Sequence, residues 1–279
     1  MTPTPILDGL CFGEGPRWHD GKLWFSDMHA PWVMTVDLAG KSEKIVEVPG
    51  HPSGLGWLPD GRLLVVSMED RRLLRLDPGG LTEVADLSTL APFHCNDMTV
   101  DRHGRAYVGN FGFDLHHGAT PTATNLVLVE PDGRARIVAD DMQFPNGTVI
   151  TPDGRTLIIG ESFAARLTAF DIEADGSLSN RRVWAQLERD TPDGICLDAE
   201  GAIWMASPIS HSVVRVRQGG EITHRVTVEK QAFACMLGGP QRRTLFICTA
   251  TDGAPETAQR LRDGRIEIVE VGVPGAGLP

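Results

Sequence analysis

The sequence lacks long hydrophobic runs, paired cysteines and an excess of positive charge. No stretch reaches the roughly 18 apolar residues of a membrane-spanning helix, and residues 1–13 contain neither a basic segment nor the long apolar run of a signal peptide. The five cysteines are odd in number and include no CxxC pair, so we expect reduced thiols rather than disulfides. Together these absences predict a soluble, cytoplasmic protein.

Basic residues are outnumbered by acidic ones. The 279 residues include 26 Lys and Arg against 37 Asp and Glu, which gives a net charge of −11 at pH 7. Nucleic acids and anionic membrane surfaces bind proteins through basic patches, so we expect neither as a partner. A cation or a neutral small molecule fits better, although acidity also serves solubility alone. The oligomeric state stays open.

Helical periodicity is also nearly absent, which argues against solenoids and α/β folds. Instead, one pattern recurs six times: a turn followed by a β-rich apolar run. The turn residues, spaced 40 to 50 positions apart, are Gly21, Gly61, Gly104, Gly154, Gly201 and Arg242. A second turn pattern in each unit indicates a second hairpin, and these turns are Ala39-Gly40, Gly79-Gly80, Asp132-Gly133, Asp175-Gly176, Gly219-Gly220 and Asp263-Gly264.

Two hairpins in each of six units are typical of propeller blades. We therefore predict an all-β fold, a six-bladed β-propeller with four antiparallel strands per blade, formed by residues 1–279 as a single domain. Residues 264–271 are predicted to form a terminal strand that shares a blade with the first strand and closes the ring. The main insertion, residues 111–124, is predicted to form a loop over one mouth of the propeller.

A polar residue stands near the start of the first strand in five of the six units. These residues are Glu14, Ser53, Asn96, Asn146 and Asp193, and the sixth unit has Ala234. Equivalent positions of a propeller converge on its axis, where two carboxylates and two amides would repel or stay unsatisfied without a cation. Oxygen donors alone favour calcium, then magnesium or manganese, with zinc less favoured. We predict one divalent metal ion on the axis.

An alternative interpretation treats each of these motifs as an ordinary turn. Asn146-Gly147 and Asp193-Gly194 are common hairpin turns, and Glu14-Gly15-Pro16 is compatible with a simple bend. Four oxygen-bearing side chains at one repeat position are hard to attribute to independent turns. The pattern as a whole therefore favours the metal site.

The same residues carry a family resemblance. The chain resembles the SMP-30 family, also called regucalcin or gluconolactonase-like proteins, over essentially its full length. The matching stretches are Gly13-Glu14-Gly15-Pro16, Asn96-Asp97, Pro145-Asn146-Gly147 and the run from Pro192-Asp193-Gly194 to Gly201. The resemblance implies that Glu14, Asn146 and Asp193 bind the metal. It places Asn96 on the substrate side, but the equivalent asparagine of related propeller phosphotriesterases also touches calcium, so both roles stay open.

The resemblance also indicates two further substrate positions. The family has an arginine two residues before the substrate asparagine and an acidic residue beyond the next strand, and here these positions hold His94 and Asp114. Histidine lacks the permanent charge and the five-donor fork of arginine, so less polar lactones become candidates beside sugar lactones. His116 and His117 are either substrate contacts or solvated loop residues. Cys95 and Cys235 flank the site and are interpreted as small buried residues.

The predicted activity is the metal-dependent hydrolysis of a small lactone, as in gluconolactonases. The metal would polarise the carbonyl, and Asp193 would act as general base, with His94 and Asp114 as alternatives because metal ligation weakens a carboxylate base. A phosphotriesterase or arylesterase could use the same site. A non-catalytic calcium- or ligand-binding propeller is the alternative outside the enzymes.

Overall fold

A computed structural model describes residues 2–277, and in this part of the chain the strands form six four-stranded antiparallel sheets. The sheets are β2 to β5, β6 to β9, β10 to β13, β14 to β17, β18 to β21, and β22 to β24 completed by β1. This architecture confirms the predicted six-bladed β-propeller with four antiparallel strands per blade.

The strands are β1 (Thr4–Leu10), β2 (Gly13–His19), β3 (Lys22–Asp27), β4 (Trp32–Val36), β5 (Ser42–Glu47), β6 (Pro52–Trp57), β7 (Leu63–Ser67), β8 (Arg72–Asp77), β9 (Gly80–Asp86), β10 (Cys95–Val100), β11 (Ala106–Asn110), β12 (Thr124–Val129), β13 (Ala135–Met142), β14 (Pro145–Ile150), β15 (Thr156–Glu161), β16 (Arg166–Ile172), β17 (Leu178–Gln186), β18 (Ile195–Leu197), β19 (Ile203–Ser207), β20 (Ser212–Val216), β21 (Ile222–Thr227), β22 (Gln231–Gly238), β23 (Thr244–Ala250) and β24 (Gly264–Glu270). Short 3-10 helices span Leu115–His117 and Ser162–Ala164, and helix α1 spans Pro255–Leu261.

The repeated turn has a backbone reason. All six turn residues lie in the left-handed region, with φ between 53° at Arg242 and 86° at Gly61. Glycine adopts this conformation without the steric cost that a Cβ imposes, which explains the five glycines of the repeat. Arg242 shows that the turn also forms when a side chain is present.

The ring closes where the first and last strands meet. β1 pairs antiparallel with β24, from Thr4 opposite Ile268 to Leu10 opposite Gly264. The predicted terminal strand and the shared blade are therefore confirmed. The prediction of an outer hairpin at Asp263-Gly264 was wrong: these residues join α1 to β24, and the fourth strand of the blade comes from the N-terminal segment.

Apolar side chains pack between adjacent sheets and fix their positions around the axis. In the largest cluster Phe25, Trp204 and Phe246 are almost fully buried and belong to three neighbouring blades. The five cysteines are free and buried, which confirms the expectation of reduced thiols. In the described part of the chain, no helix has both the length and the apolar character needed to span a membrane.

Candidate functional site

The innermost strands present their polar residues in one register. Glu14, Ser53, Asn96 and Asn146 are each the second residue of β2, β6, β10 and β14, and Asp193 lies two residues before β18. A β-bulge follows at the same place in each of these four strands. In β2, for example, Glu14 pairs with Ser26 and the next pair is Arg17 with Trp24. Bulges turn side chains out of the regular pleat, and here they do so near the first residues of the innermost strands.

Four glycines explain how the innermost strands approach so closely. They are Gly15, Gly54, Gly147 and Gly194, each directly after a residue of the polar register. A Cβ at any of them would lie 2.4–2.7 Å from an atom of the neighbouring blade, such as the Met98 nitrogen for Gly54 and the Ile195 nitrogen for Gly147. The interpretation of these motifs as hairpin turns was therefore wrong, because the glycines provide room for contact between blades.

One cavity of about 640 Å³ brings the predicted site residues together. Its lining includes all six of them, namely Glu14, His94, Asn96, Asp114, Asn146 and Asp193, but neither Ser53 nor Ala234. The insertion at 111–124 also lines it, through residues that include Phe111, Leu115, His116 and His117. The loop therefore lies at one mouth of the propeller, as predicted. The chemical roles of the six residues stay predictions.

Sequence reasoning missed several residues that line the cavity. Residues 253–257, at the start of the segment that carries α1, form part of its wall. Gly253 and Pro255 interrupt the strand pattern and could have indicated this second insertion. Phe12 and Phe144 also line the cavity and, like His94, stand two residues before the polar position of their unit. The repeat register could therefore have placed both rings at the site.

Glu14 and Asp193 are two acidic groups that form no salt bridge with any residue between 2 and 277. Burial and the negative charge of Asp193 raise the pKa of Glu14 well above its usual value. Burial also raises the pKa of Asp193, partly offset by a hydrogen bond from Asn146. Glu14 accepts a hydrogen bond from the Gly15 N–H at 3.0 Å, and Arg17 is bound to Asp97. Two like charges in one cavity, one buried and one half-buried, favour a cation between them.

The two asparagines are held by their nitrogen atoms. Asn96 Nδ2 donates to the Pro145 carbonyl at 3.3 Å, and Asn146 Nδ2 donates to Ser162 Oγ at 3.3 Å. Ser162 Oγ in turn donates to the Pro192 carbonyl at 2.7 Å. These bonds leave both amide oxygens available as ligands or acceptors.

The chemistry of this donor set fits a hard divalent cation. Residues 2–277 contain no group of three or more His, Cys, Asp or Glu arranged to hold a metal. The axial residues instead combine two carboxylates with two amides, and calcium accepts carboxylate, amide and water oxygens. Cys95 and Cys235 offer no thiolate to such an ion, because burial raises the pKa of Cys95 to about 12 and that of Cys235 well above its usual value.

Four of the nine histidines line the cavity outside the axial cluster, namely His29, His94, His116 and His117. The His94 ring stacks on Phe93 with centroids 4.1 Å apart, and burial lowers the pKa of His94. His117 Nδ1 lies 2.8 Å from Asp114 Oδ1, a contact that lowers the pKa of Asp114. Burial lowers the pKa of His29 to about 4, so its neutral ring can donate from Nε2 to the Gly253 carbonyl at 3.1 Å. His29 therefore anchors the second insertion.

Further along the innermost strands, side chains that include Arg17 and Asp97 fill the space around the axis. We call this region the closed end, and the region around Glu14 and Asp193 the cavity end. Arg17 Nη2 donates to Asp97 Oδ1 at 2.7 Å and to the Met98 carbonyl at 2.6 Å. A space of only about 30 Å³ remains beyond this pair, and Ala276 lines it. The channel is thus open to ligands at one end.

The fold and the site define a six-bladed propeller with an acidic, oxygen-lined cavity on its axis. A family model described as SMP-30/Gluconolactonase/LRE-like region matches residues 12–251, and the chain belongs to this family.

Relatives and solved structures cover nearly the whole chain. Regucalcin from Danio rerio is 30% identical over 86% of this chain and 83% of its own length. A 6-deoxy-6-sulfogluconolactonase from Pseudomonas putida is 24% identical over 96% of this chain and 94% of its own. The structure of a calcium-binding regucalcin from Agrobacterium tumefaciens superposes with a TM-score of 0.80, at 24% identity, over 98% of this chain and 92% of its own. This last similarity shows the shared fold.

Proposed function

We propose that this protein is a divalent-metal-dependent hydrolase that opens a small lactone, with calcium as the first candidate for the metal. The observation that carries the proposal is the pair Glu14 and Asp193, two acidic groups that form no salt bridge with the described residues, beside two amides in a cavity of about 640 Å³. Such a cavity has the size of small-molecule sites in general. Membership of a family that includes gluconolactonases supports the reaction class.

The reaction is an acyl transfer to water. The oxygen of water bonds to the carbonyl carbon, and the bond between that carbon and the ring oxygen breaks. One proton of the water ends on the released ring oxygen, and the other leaves when the new carboxylic acid ionises. A divalent cation, when bound, would polarise the carbonyl and stabilise the negative charge that develops on its oxygen.

The residues of the chain divide the remaining work. Glu14, Asn146 and Asp193 would hold the ion, and Asp193 would also orient the water and accept its proton. Asn96, fixed by its bond to the Pro145 carbonyl, would contact either the ion or the substrate through its amide oxygen. His94 and Asp114, which also line the cavity, would contact the substrate.

The names of relatives support the two halves of this proposal separately. The Agrobacterium regucalcin is described as calcium-binding, and the Pseudomonas relative is named as a lactonase for a sulfonated sugar. The cavity residues described for this chain include no Lys or Arg that would pair with a sulfonate. We therefore propose that this protein shares with that relative a lactone substrate, but not one that carries a sulfonate.

The first experiment tests the ion. Elemental analysis of the purified protein should find about one divalent ion per chain. After chelation, calcium, magnesium, manganese or zinc at about 100 times its dissociation constant should stabilise the fold by about 2.7 kcal/mol. Absence of both bound metal and stabilisation by any of the four would refute the metal site.

The second experiment tests the reaction with lactones, aryl esters and phosphotriesters, each with and without metal. Asp193→Asn keeps an oxygen ligand but removes the base, so turnover at saturating metal should fall by roughly 10²-fold or more. Asn146→Ala removes a ligand, so activity lost in this variant should return in part at high metal concentration. The matched control is Asp20→Asn at a side chain that is 86% exposed, which should leave turnover unchanged.

The outcomes separate the alternatives. Faster turnover of phosphotriesters or aryl esters than of any lactone would replace the lactonase assignment. Metal binding without any hydrolysis would leave a binding propeller. Near wild-type turnover in Asp193→Asn would exclude Asp193 as base and direct the search to His94 and Asp114.

A further inference from the structure

We infer that the preferred substrate is a lactone with an apolar alkyl or aryl substituent and without an anionic group. This inference rests on the proposed lactonase function and adds the substrate class. It follows from the apolar lining of the cavity, from the distribution of charge around it, and from a row of aromatic rings that leads to the surface.

The apolar lining includes four Phe and two Met side chains, which we call the aromatic wall: Phe12, Met28, Met68, Phe111, Phe144 and Phe233. All six are buried and belong to one apolar cluster. The ring centroids of Phe12 and Phe233 are 4.6 Å apart, and those of Phe111 and Phe144 are 4.9 Å apart. Because the rings pack against each other, the wall is formed before any ligand arrives.

Phe144 is held in an unusual conformation. Its φ is 60°, in the left-handed region that bulky residues rarely adopt. The following strand begins at Pro145 and presents Asn146 to the axis, so this backbone places the ring and the predicted ligand side by side. Strained residues of this kind concentrate at functional sites.

Aromatic rings also connect the cavity with the surface. The Phe144 and Phe163 centroids are 5.2 Å apart, and Phe163 is 50% exposed. Phe163 belongs to the 3-10 helix Ser162–Ala164, and Ser162 of this helix accepts a hydrogen bond from Asn146. Phe163 lies outside the cavity lining, so only a substituent long enough to extend past Phe144 would reach its exposed ring.

Charge around the cavity selects against anionic substituents. Apart from the axial pair, Glu69, Asp114 and Glu256 line it, and no Lys or Arg does so among the residues described. A sulfonate, phosphate or carboxylate on the substrate would meet several carboxylates and, among the residues described, no permanently charged cation. Ring hydroxyls that face the aromatic wall would lose hydrogen bonds to water, a loss of roughly 5- to 150-fold in binding for each hydroxyl left unpaired.

The test compares kcat/KM for δ-lactones with alkyl chains of increasing length, for gluconolactone and for a sulfonated gluconolactone. Each methylene that reaches the wall should raise kcat/KM roughly fourfold. The alkyl lactones should exceed gluconolactone, and the sulfonated sugar should be the poorest substrate. A preference for gluconolactone or for the sulfonated sugar would overturn the inference and leave the proposed lactonase intact.

Variants locate the effect on the wall. Phe163→Ala should lower kcat/KM for the longest chain by about tenfold, through KM, and leave the unsubstituted ring unchanged. Phe144→Ala should act on shorter chains as well. Ile209→Ala is the control, because Ile209 is 71% exposed and lies between β19 and β20, on the blade next to the one that carries Phe163. Equal effects of Phe163→Ala on all chain lengths would contradict the inference.

A gain-of-function variant and a binding measurement complete the test. His94→Arg adds a cation to the cavity and should raise kcat/KM for the sulfonated sugar relative to the alkyl lactones, and an unchanged ratio would count against the inference. If no lactone is hydrolysed, calorimetry with alkyl and polyhydroxylated lactams still decides the preference. The absence of hydrolysis would refute the proposed reaction. Tighter binding of the alkyl lactams would still support the apolar site, and the reverse order would refute it.

Discussion

The two ends of the propeller axis differ in how their buried carboxylates are compensated. At the closed end, Asp97 accepts a hydrogen bond from Arg17 at 2.7 Å, and both side chains are only 7% exposed. At the cavity end, burial and the negative charge of Asp193 raise the pKa of Glu14, and the cavity lining described here contains no basic side chain apart from histidine. The same innermost strands supply both ends.

This difference in charge compensation indicates that the closed end contributes to the stability of the fold and the cavity end to function. A paired buried charge is stable only while both partners are present, so Arg17 and Asp97 hold β2 and β10 together. An uncompensated pair of carboxylates costs stability unless a cation binds. We therefore expect substitutions at the closed end to change stability, and substitutions at the cavity end to change metal binding and turnover.

The largest effect is expected when the closed end loses its cation. Arg17→Met would leave Asp97 buried without a partner, at a cost of about 3–5 kcal/mol in the free energy of unfolding. Urea denaturation measures this loss. The double variant Arg17→Met with Asp97→Leu should recover most of it, because no unpaired charge remains. A loss below about 1 kcal/mol in the single variant would mean that the pair contributes little to the fold.

A smaller effect is expected from the close contact of innermost strands near the cavity end. A Cβ at Gly54 would lie 2.4 Å from the Met98 backbone nitrogen, so Gly54→Ala must move β6 away from β10. Overpacking of this kind costs about 1–3 kcal/mol. Gly79→Ala is the control, since a Cβ there meets no atom within 4 Å. Equal unfolding free energies for the two variants would show that the blades can separate freely.

Much of the fold could be predicted because it repeats. Six turns at near-equal spacing indicate six units. The turn residue adopts a left-handed conformation, and at five of the six turns it is glycine. The axial residues could be found for the same reason, since Glu14, Asn96 and Asn146 occupy one register position. Features present in only one blade were harder to predict. Helix α1 spans seven residues, too few for a periodic pattern.

Contacts between blades could not be predicted from local sequence. Arg17 and Asp97 are 80 residues apart, and the sequence around each residue does not indicate which residue it pairs with. The aromatic side chains of the wall come from different blades and meet only when the propeller closes. The glycines after the axial residues resemble hairpin turns in sequence, because close approach to another strand and a tight turn both exclude a side chain. The structure distinguishes the two causes.

The smallest effect, and the one whose sign matters most, is expected at Glu14. Glu14→Gln keeps the volume and one oxygen but removes one of two acidic groups that repel each other. The chelated protein should therefore gain about 0.5–2 kcal/mol in stability, as other substitutions that relieve functional strain do. The stabilisation obtained by adding calcium should fall below that of the wild type. Chemical denaturation with chelator and with calcium measures both changes.

The control is Glu47→Gln, the same change on an exposed residue outside the cavity, which should alter stability by less than about 0.5 kcal/mol. If Glu14→Gln instead destabilised the chelated protein, Glu14 would be serving the fold in the way that Asp97 does. The contrast between the two ends would then fail. A gain in stability without metal, joined to a smaller stabilisation by calcium, is the result expected when the carboxylate is costly to the fold and useful to the ion, because the first change reports on the metal-free fold and the second on metal binding.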